Sequence, residues 1–292
     1  MTADVGIYEP LYAPGQEIAD PAFIALQRGA TARPEWREFG ILVDMYRQGL
    51  HRQHRFTGLF SPKFNLKAKI TGAQFVEFVK ANSDADACFI NPFPQIAYWS
   101  FNVWMQGEYA HPGLKCAAQS LCDASGLGWQ IERTPRHDHR FLAYSNFWVG
   151  TEAFWERYVG GVLVPIAEFL ETQPASAAAR LVMTDTTHTD AAPFLPFIIE
   201  RLFSTFISAQ PELNVVAHPL PSERTEDYCN SDFERLLLSR MRASVDAADC
   251  GRAYPAELIE RMDLACALWQ QHFFDYFEQR PHPHTNRTVS RD

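Results

Sequence analysis

The chain has 292 residues, 47% of them hydrophobic, enough to bury a sizeable core in one large domain or two small ones. Its net charge of −9 and pI near 5.6 argue against sequence-independent nucleic-acid binding but leave room for a local basic pocket. No run approaches the roughly 18 consecutive apolar residues of a membrane span, and no basic-then-apolar segment opens the chain. The six cysteines (Cys88, Cys116, Cys122, Cys229, Cys250, Cys266) contain no C-x-x-C pair, so free thiols and a cytoplasmic location are expected.

Residues 3–8 read as a first strand, ended by Pro10 and the Pro14-Gly15 turn. Asp20-Pro21 predicts the start of a short helix with Asp20 as its N-cap. Residues 36–51 carry Phe39, Leu42, Val43, Tyr46 and Leu50 at helical spacing. Residues 55–60 form a strand leading into a loop that holds Lys63 and Lys67, and Thr71 caps a helix through Val79. Residues 87–90 are a buried strand stopped by Asn91-Pro92-Phe93-Pro94. This strand–helix–strand alternation predicts an α/β domain with some parallel pairing.

Residues 97–106 and 114–124 read as helices, 133–140 as a polar loop and 141–149 as a strand. A long helix covers 151–170, a break of small residues 174–179, a helix 193–210 and a short strand 214–218. From 225 to 280 the pattern is helical in two segments split near Gly251–Pro255, and 281–292 reads as a frayed tail. No internal repeat or long linker is visible, so 221–280 is expected to extend the domain formed by 1–220.

Two polar interruptions of apolar elements stand out. Asn146 sits inside Tyr144-Ser145-Asn146-Phe147-Trp148-Val149, and Glu200-Arg201 sits inside Ile199-Glu200-Arg201-Leu202-Phe203. Buried amides and charges need partners, so one polar pocket built by both segments is a natural explanation. A local one is equally open: Asn146 can bond nearby backbone, and Glu200 and Arg201, pointing about 100° apart on a helix, can form structural links.

Three pieces occur in order along the chain: Gly58-Leu59-Phe60-Ser61-Pro62-Lys63-Phe64; the Asn146 segment followed by Ala153-Phe154-Trp155-Glu156-Arg157-Tyr158; and Ile199-Glu200-Arg201-Leu202-Phe203. Together they resemble bacterial polysaccharide-biosynthesis glycosyltransferases with a GT-A-like fold, most of all the galactofuranosyltransferase-type domain formerly classed as a domain of unknown function. The resemblance implies a mixed, mainly parallel sheet flanked by helices, with a helical C-terminal extension. It also implies transfer from a nucleotide sugar to a saccharide or lipid-linked acceptor in capsule or O-antigen assembly, with manganese or magnesium as a possible companion of the donor. The chain departs from many GT-A enzymes in lacking Asp-x-Asp at the end of a central strand. Asp84 and Asp86 stand at the start of the 87–90 strand, the wrong end for such a site.

Lys63 and Lys67 are therefore the candidate cations for a donor diphosphate, with Asn91, Asn146 and Arg201 as further substrate contacts. Glu200 is the candidate base, with Asp185 and His188 in reserve, and no residue is assigned to a metal. His137-Asp138-His139, with His111 as a third imidazole, could instead ligate a metal in a hydrolase. A non-catalytic nucleotide- or sugar-binding protein is the other alternative. The aromatic C-terminal helix (Trp269, Phe273, Phe274, Tyr276, Phe277) has the helical spacing of core packing, and a dimer or a peripheral membrane contact is open to it too.

Overall fold

Side-chain alternation along the strands sends successive residues to opposite faces of one sheet, and each face acquires its own apolar layer. The computed structural model describes residues 4–28, 33–186, 192–284 and 286–289. The first part of the chain forms β1 (Val5–Leu11), β2 (Ile24–Gln27), α1 (Glu38–Arg47), β3 (Phe56–Leu59), α2 (Phe64–Ala68), α3 (Gly72–Ala81) and β4 (Ala87–Phe89). Then come α4 (Val103–Ala110), α5 (Leu114–Ala124), β5 (Trp148–Gly150) and α6 (Glu152–Trp155), which runs through a π-helical segment, Glu156–Leu163, into α7 (Val164–Thr172). After α8 (Ala177–Val182), β6 (Asp185–Thr186) and β7 (Ala192–Pro193) pair as a small antiparallel ribbon. The chain continues through α9 (Phe194–Ser208), β8 (Val215–Ala217), α10 (Asp232–Gly251) and α11 (Ala256–Glu278).

The main sheet has the order β2-β1-β3-β5-β4-β8. β1 is parallel to β2 and β3, and β4 is parallel to β8, while β5 runs antiparallel between β3 and β4. One row of the register crosses most of the sheet: Ile7 faces Gly58, Gly58 faces Val149, Val149 faces Cys88 and Cys88 faces Val216. Ile7, Phe56, Val149 and Cys88 pack against Phe64 of α2 and Phe75 and Val79 of α3 in the smaller layer. The Phe23, Phe60, Phe64 and Phe75 rings there lie with centroids between 4.8 and 5.9 Å apart. On the other face Trp148 stacks among Trp155, Tyr158 and Phe203 at 5.3 to 5.5 Å. Burying each such side chain stabilises the fold by about 1.5–3 kcal/mol.

The α/β class and the mostly parallel mixed sheet flanked by helices agree with expectation, as do the long helices after residues 151, 193 and 225. Several local readings do not hold. Pro10 stays within β1, opposite Leu26 and beyond the last residue that pairs with β3, where its missing N–H is tolerated. Asp20 opens no helix. Its carboxylate accepts the N–H groups of Ala22 and Gly72 and the Asn65 amide, serving the first turn of α3 from outside. Residues 97–106 divide between a 3-10 turn, Pro94–Tyr98, and α4, because the Asn102 side chain caps Trp104 and Met105 and starts the helix there. Lys63 stands in the turn before α2, as the loop reading has it, whereas Lys67 lies on α2, and part of the 174–179 break is the start of α8. The segment read as a frayed tail turns back: the Val289 N–H donates to the Phe277 carbonyl at 3.0 Å and Val289 is 3% exposed. In α11, Trp269 and Phe277 are buried, as core packing requires. Among the described residues no helix is long and apolar enough to cross a membrane.

Gly58 is required by close approach. A Cβ there would lie 2.4 Å from the Trp148 carbonyl oxygen and 2.7 Å from Val149 Cγ1. Gly58→Ala is expected to cost about 1–3 kcal/mol through displacement of β5. Urea unfolding of the variant checks this, and an unchanged midpoint would mean the strand yields freely.

Candidate functional site at the carboxyl edge of the sheet

Because β5 runs against its neighbours, the turn leading into it lies beside the points where β3 and β4 leave the sheet. That turn is the part of residues 141–149 that was expected to be strand. Only Trp148–Gly150 pairs, while Ser145 and Asn146 adopt left-handed backbone with φ of 66° and 53°. Two consecutive non-glycine residues in this region cost about 1–3 kcal/mol each unless their surroundings impose it. The surroundings here do. The Ser145 N–H donates to Glu200 Oε1 at 2.7 Å, and Lys67 Nζ donates to Ser145 Oγ at 2.9 Å. A carboxylate from α9 and an ammonium from α2 thus grip the same residue.

These groups line a cavity of about 580 Å³, to which the residues just after the carboxyl ends of β1 and β3 contribute Tyr12 and Ser61–Lys63. Arg37, with φ 48° and ψ −133°, stands at its rim. Three of the six described non-glycine residues with positive φ therefore border one cleft. Such outliers cluster where function sustains them.

Lys67 is half-buried, and its ammonium is deep enough for burial to lower its pKa. The Glu200 and Glu38 charges oppose that shift, and Lys63, exposed at the rim, adds to it. Phe93 gathers this end of the cleft: Lys67 Nζ is 5.9 Å from its ring centroid, the His284 ring 5.6 Å and the Tyr144 ring 6.1 Å. The His284 pKa is pushed down to about 4, first by burial and then by the charges of His282, Lys67, Lys69 and Lys63. Positive potential accumulates here on a protein that is acidic as a whole.

Arg201 is 2% exposed and gives its donors to the Val103 carbonyl at 3.0 Å, the Phe197 carbonyl at 2.7 Å and Gln106 Oε1 at 2.6 Å. Gly107 makes this possible, since a Cβ there would stand 2.4 Å from Arg201 Nε. Its guanidinium lies 3.8 Å from Glu200 Oε2. Although Arg201 lines the cleft, its hydrogen bonds hold α4 to α9 and its charge sits beside Glu200. It supports the site more than it faces a ligand.

The structure brings together Lys63, Lys67, Asn146, Glu200 and Arg201. Asn91 is elsewhere: its Oδ1 accepts the Phe93 N–H at 3.0 Å in a turn, and it borders a second cavity with His139 and His218. Asp185 is exposed on the β6–β7 ribbon and does not line the cleft. His188 lies outside the described residues. The His137-Asp138-His139 run is engaged within the protein. Buried His137 accepts the Val103 N–H and contacts Ser208 Oγ, Asp138 pairs with Arg140, and the His139 ring lies 5.4 Å from that of Tyr98. The His111 ring stacks on Phe197 instead. Among the described residues no group of three or more His, Cys, Asp or Glu side chains is arranged to hold a metal. Asp86 accepts the Asn214 N–H at the amino end of β4, and Asp84 is exposed beside it.

Sequence reasoning missed Arg37, Gln95, Gln270 and the tail histidines. A lone glutamine in the apolar run Pro94-Gln95-Ile96-Ala97 was a usable signal, whereas nothing local marks His282 or His284.

Arg201→Ala opens a cavity between α4 and α9 and strips Gln106 Oε1 of its donor, so it is expected to cost about 2–5 kcal/mol in urea unfolding. His137 supplies a pH test. Burial, with the Arg136 charge, holds its pKa at about 3, against an ordinary value of 6.5. Between those values the unfolded chain binds a proton that the folded chain refuses, so stability falls as pH drops below about 6.5, by up to about 1.4 kcal/mol per pH unit. Stability of the wild type and His137→Gln at pH 7 and pH 5 checks it. The variant should lose less on acidification, and equal losses would assign the acid limb to other groups.

No family model, curated protein or solved structure matches the chain, so its functional assignment rests on the geometry of this site and on the motif resemblance.

Proposed function

We propose that this chain is a glycosyltransferase that moves a sugar from a nucleoside-diphosphate donor to a saccharide or lipid-linked acceptor, in the capsule or O-antigen chemistry that the sequence resemblance implies. The observation that carries the proposal is the Lys67–Ser145–Glu200 arrangement: a cation and a carboxylate fixed on one strained turn inside a cleft. The cleft lies at the carboxyl ends of parallel strands, where β1 leads to β2 on one side and β3 pairs on the other. Open α/β sheets bind nucleotides at such switch points.

In this reaction an acceptor hydroxyl oxygen attacks the anomeric carbon. The new C–O bond forms as the bond to the diphosphate oxygen breaks, and the diphosphate leaves with the electron pair. The hydroxyl proton passes to the Glu200 carboxylate, whose Oε1 is oriented by the Ser145 N–H. Lys67 and Lys63 stabilise the charge that develops on the leaving group. Three carboxylates line the cleft, Glu38, Glu200 and Glu234, and two of them are engaged by protein donors. Glu200 is held by Ser145 beside Arg201, and Glu234 accepts Trp269 Nε1 at 2.9 Å and the Asn230 N–H. The leaving-group charge is therefore assigned to the lysines, and no step is routed through a metal.

A nucleoside diphosphate is expected to raise the melting temperature of the purified protein, and Lys67→Met to weaken its binding by about tenfold to a hundredfold. Glu200→Gln should keep nucleotide affinity while lowering transfer by about 10²- to 10⁴-fold. A chain that melts unchanged with every nucleoside diphosphate and nucleotide sugar would sink the proposal. Nucleotide binding without any transfer or donor hydrolysis would replace it with a binding protein of the same site.

A further inference from the structure

The cleft contains a second set of polar groups that the donor chemistry leaves unused. Gln95 Oε1, Tyr144 Oη and Gln270 Oε1 are buried without a hydrogen-bond partner in the protein, as is Asn146 Oδ1. Gln95, Tyr144 and Gln270 are 1%, 4% and 6% exposed, and all three line the same cavity. They come from distant parts of the chain: the 3-10 turn after β4, the segment before β5, and α11. Each buried polar group left unpaired costs about 1–3 kcal/mol, and native proteins seldom leave several such groups together without a use.

The chemistry of these groups narrows what completes them. All are neutral, so they do not match a phosphate, which calls for cations and N–H donors. The amides offer a carbonyl or, turned over, an NH₂ group, and a tyrosine hydroxyl both donates and accepts. Burial raises the Tyr144 pKa, which keeps that hydroxyl protonated. Neutral groups that donate and accept within one cavity are the complement of hydroxyls on a ring. Apolar surface stands beside them: Trp269 and Phe273 also line the cavity, and the Trp269 indole is fixed by its hydrogen bond to Glu234. Aromatic faces of this kind cover the C–H faces of a sugar.

We propose that Gln95, Tyr144 and Gln270 form a subsite for the hydroxyl groups of a neutral sugar ring, and that these three side chains set which hydroxyl configuration the protein accepts. The proposal rests on glycosyl transfer in this cleft for its biological use, yet the subsite takes a free saccharide without any nucleotide. The helical C-terminal extension, through Gln270 and Trp269, thereby becomes part of substrate recognition.

Saturation-transfer NMR of the full chain with the methyl glycosides of glucose, galactose and mannose, in the absence of nucleotide, tests it. At least one glycoside should bind, with preference among the three. Tyr144→Phe and Gln270→Leu keep side-chain bulk while removing an unpaired polar group, so both should fold with little loss of stability in urea. Each should weaken glycoside binding about tenfold, the loss of one well-placed hydrogen bond, and leave nucleoside diphosphate affinity unchanged. Absence of binding by all three glycosides up to their solubility limit, or binding indifferent to both substitutions, overturns the subsite. Glycoside binding by a protein that ignores every nucleoside diphosphate upholds the subsite and removes the donor assignment instead.

Discussion

The arrangement of the cleft depends on one constraint: a left-handed pair, Ser145-Asn146, held between a carboxylate and an ammonium. Asparagine tolerates that backbone and serine does not favour it, and the turn is needed because β5 enters the sheet antiparallel between two parallel strands. The Glu200 carboxylate accepts the turn's N–H and the Lys67 ammonium donates to its hydroxyl oxygen, so α9 and α2 are tied to one point through unlike charges. Arg201 then keeps Glu200 from being an isolated anion and uses its remaining donors to fasten α4. Removing any one of these groups alters the electrostatics of the others, since they share one poorly solvated space.

The same constraint explains how an acidic protein can offer an anion a favourable place. Net charge is a property of the whole surface, whereas the cleft gathers Lys63, Lys67, Arg37 and Arg201 within a concave wall. Low-dielectric walls strengthen that local field compared with the same charges on an open surface. Two of the three carboxylates that share the cleft are tied to protein donors, Glu200 to Ser145 and Glu234 to Trp269 and Asn230, and Glu38 is the third.

Much of the architecture was legible because it rests on periodicity. The helical spacing of 193–210 and 225–280 and the cap at Thr71 are local signals, and the structure follows them. The pairing of Asn146 with Glu200 in one pocket was also legible, as two polar breaks in apolar elements. What failed was local chemistry read without its tertiary partner. Asp20-Pro21 looks like a helix start, but the helix that Asp20 serves begins at Gly72. Residues 141–149 look like one strand because aromatic residues favour pleated surfaces, yet the turn is fixed by charges from remote helices. Asn91 was expected in the same cleft as Asn146 and borders a second cavity instead. The tail histidines could not be found from sequence, because only the return of the chain past Phe277 brings them to the cleft.

The sheet order has a consequence for how the cleft comes into being. β2, β1 and β3 form one hydrogen-bonded group, β4 and β8 another, and among the described residues the three-residue β5 is the strand that joins them. The two half-sheets can gather separately, but the ladder closes only when β5 docks between them. Completing the ladder and shaping the cleft are therefore one event, since the turn that feeds β5 is part of the cleft wall. Local opening that releases β5 would erase the site while most helices remain, so its backbone amides should exchange with solvent as a cooperative unit coupled to ligand occupancy.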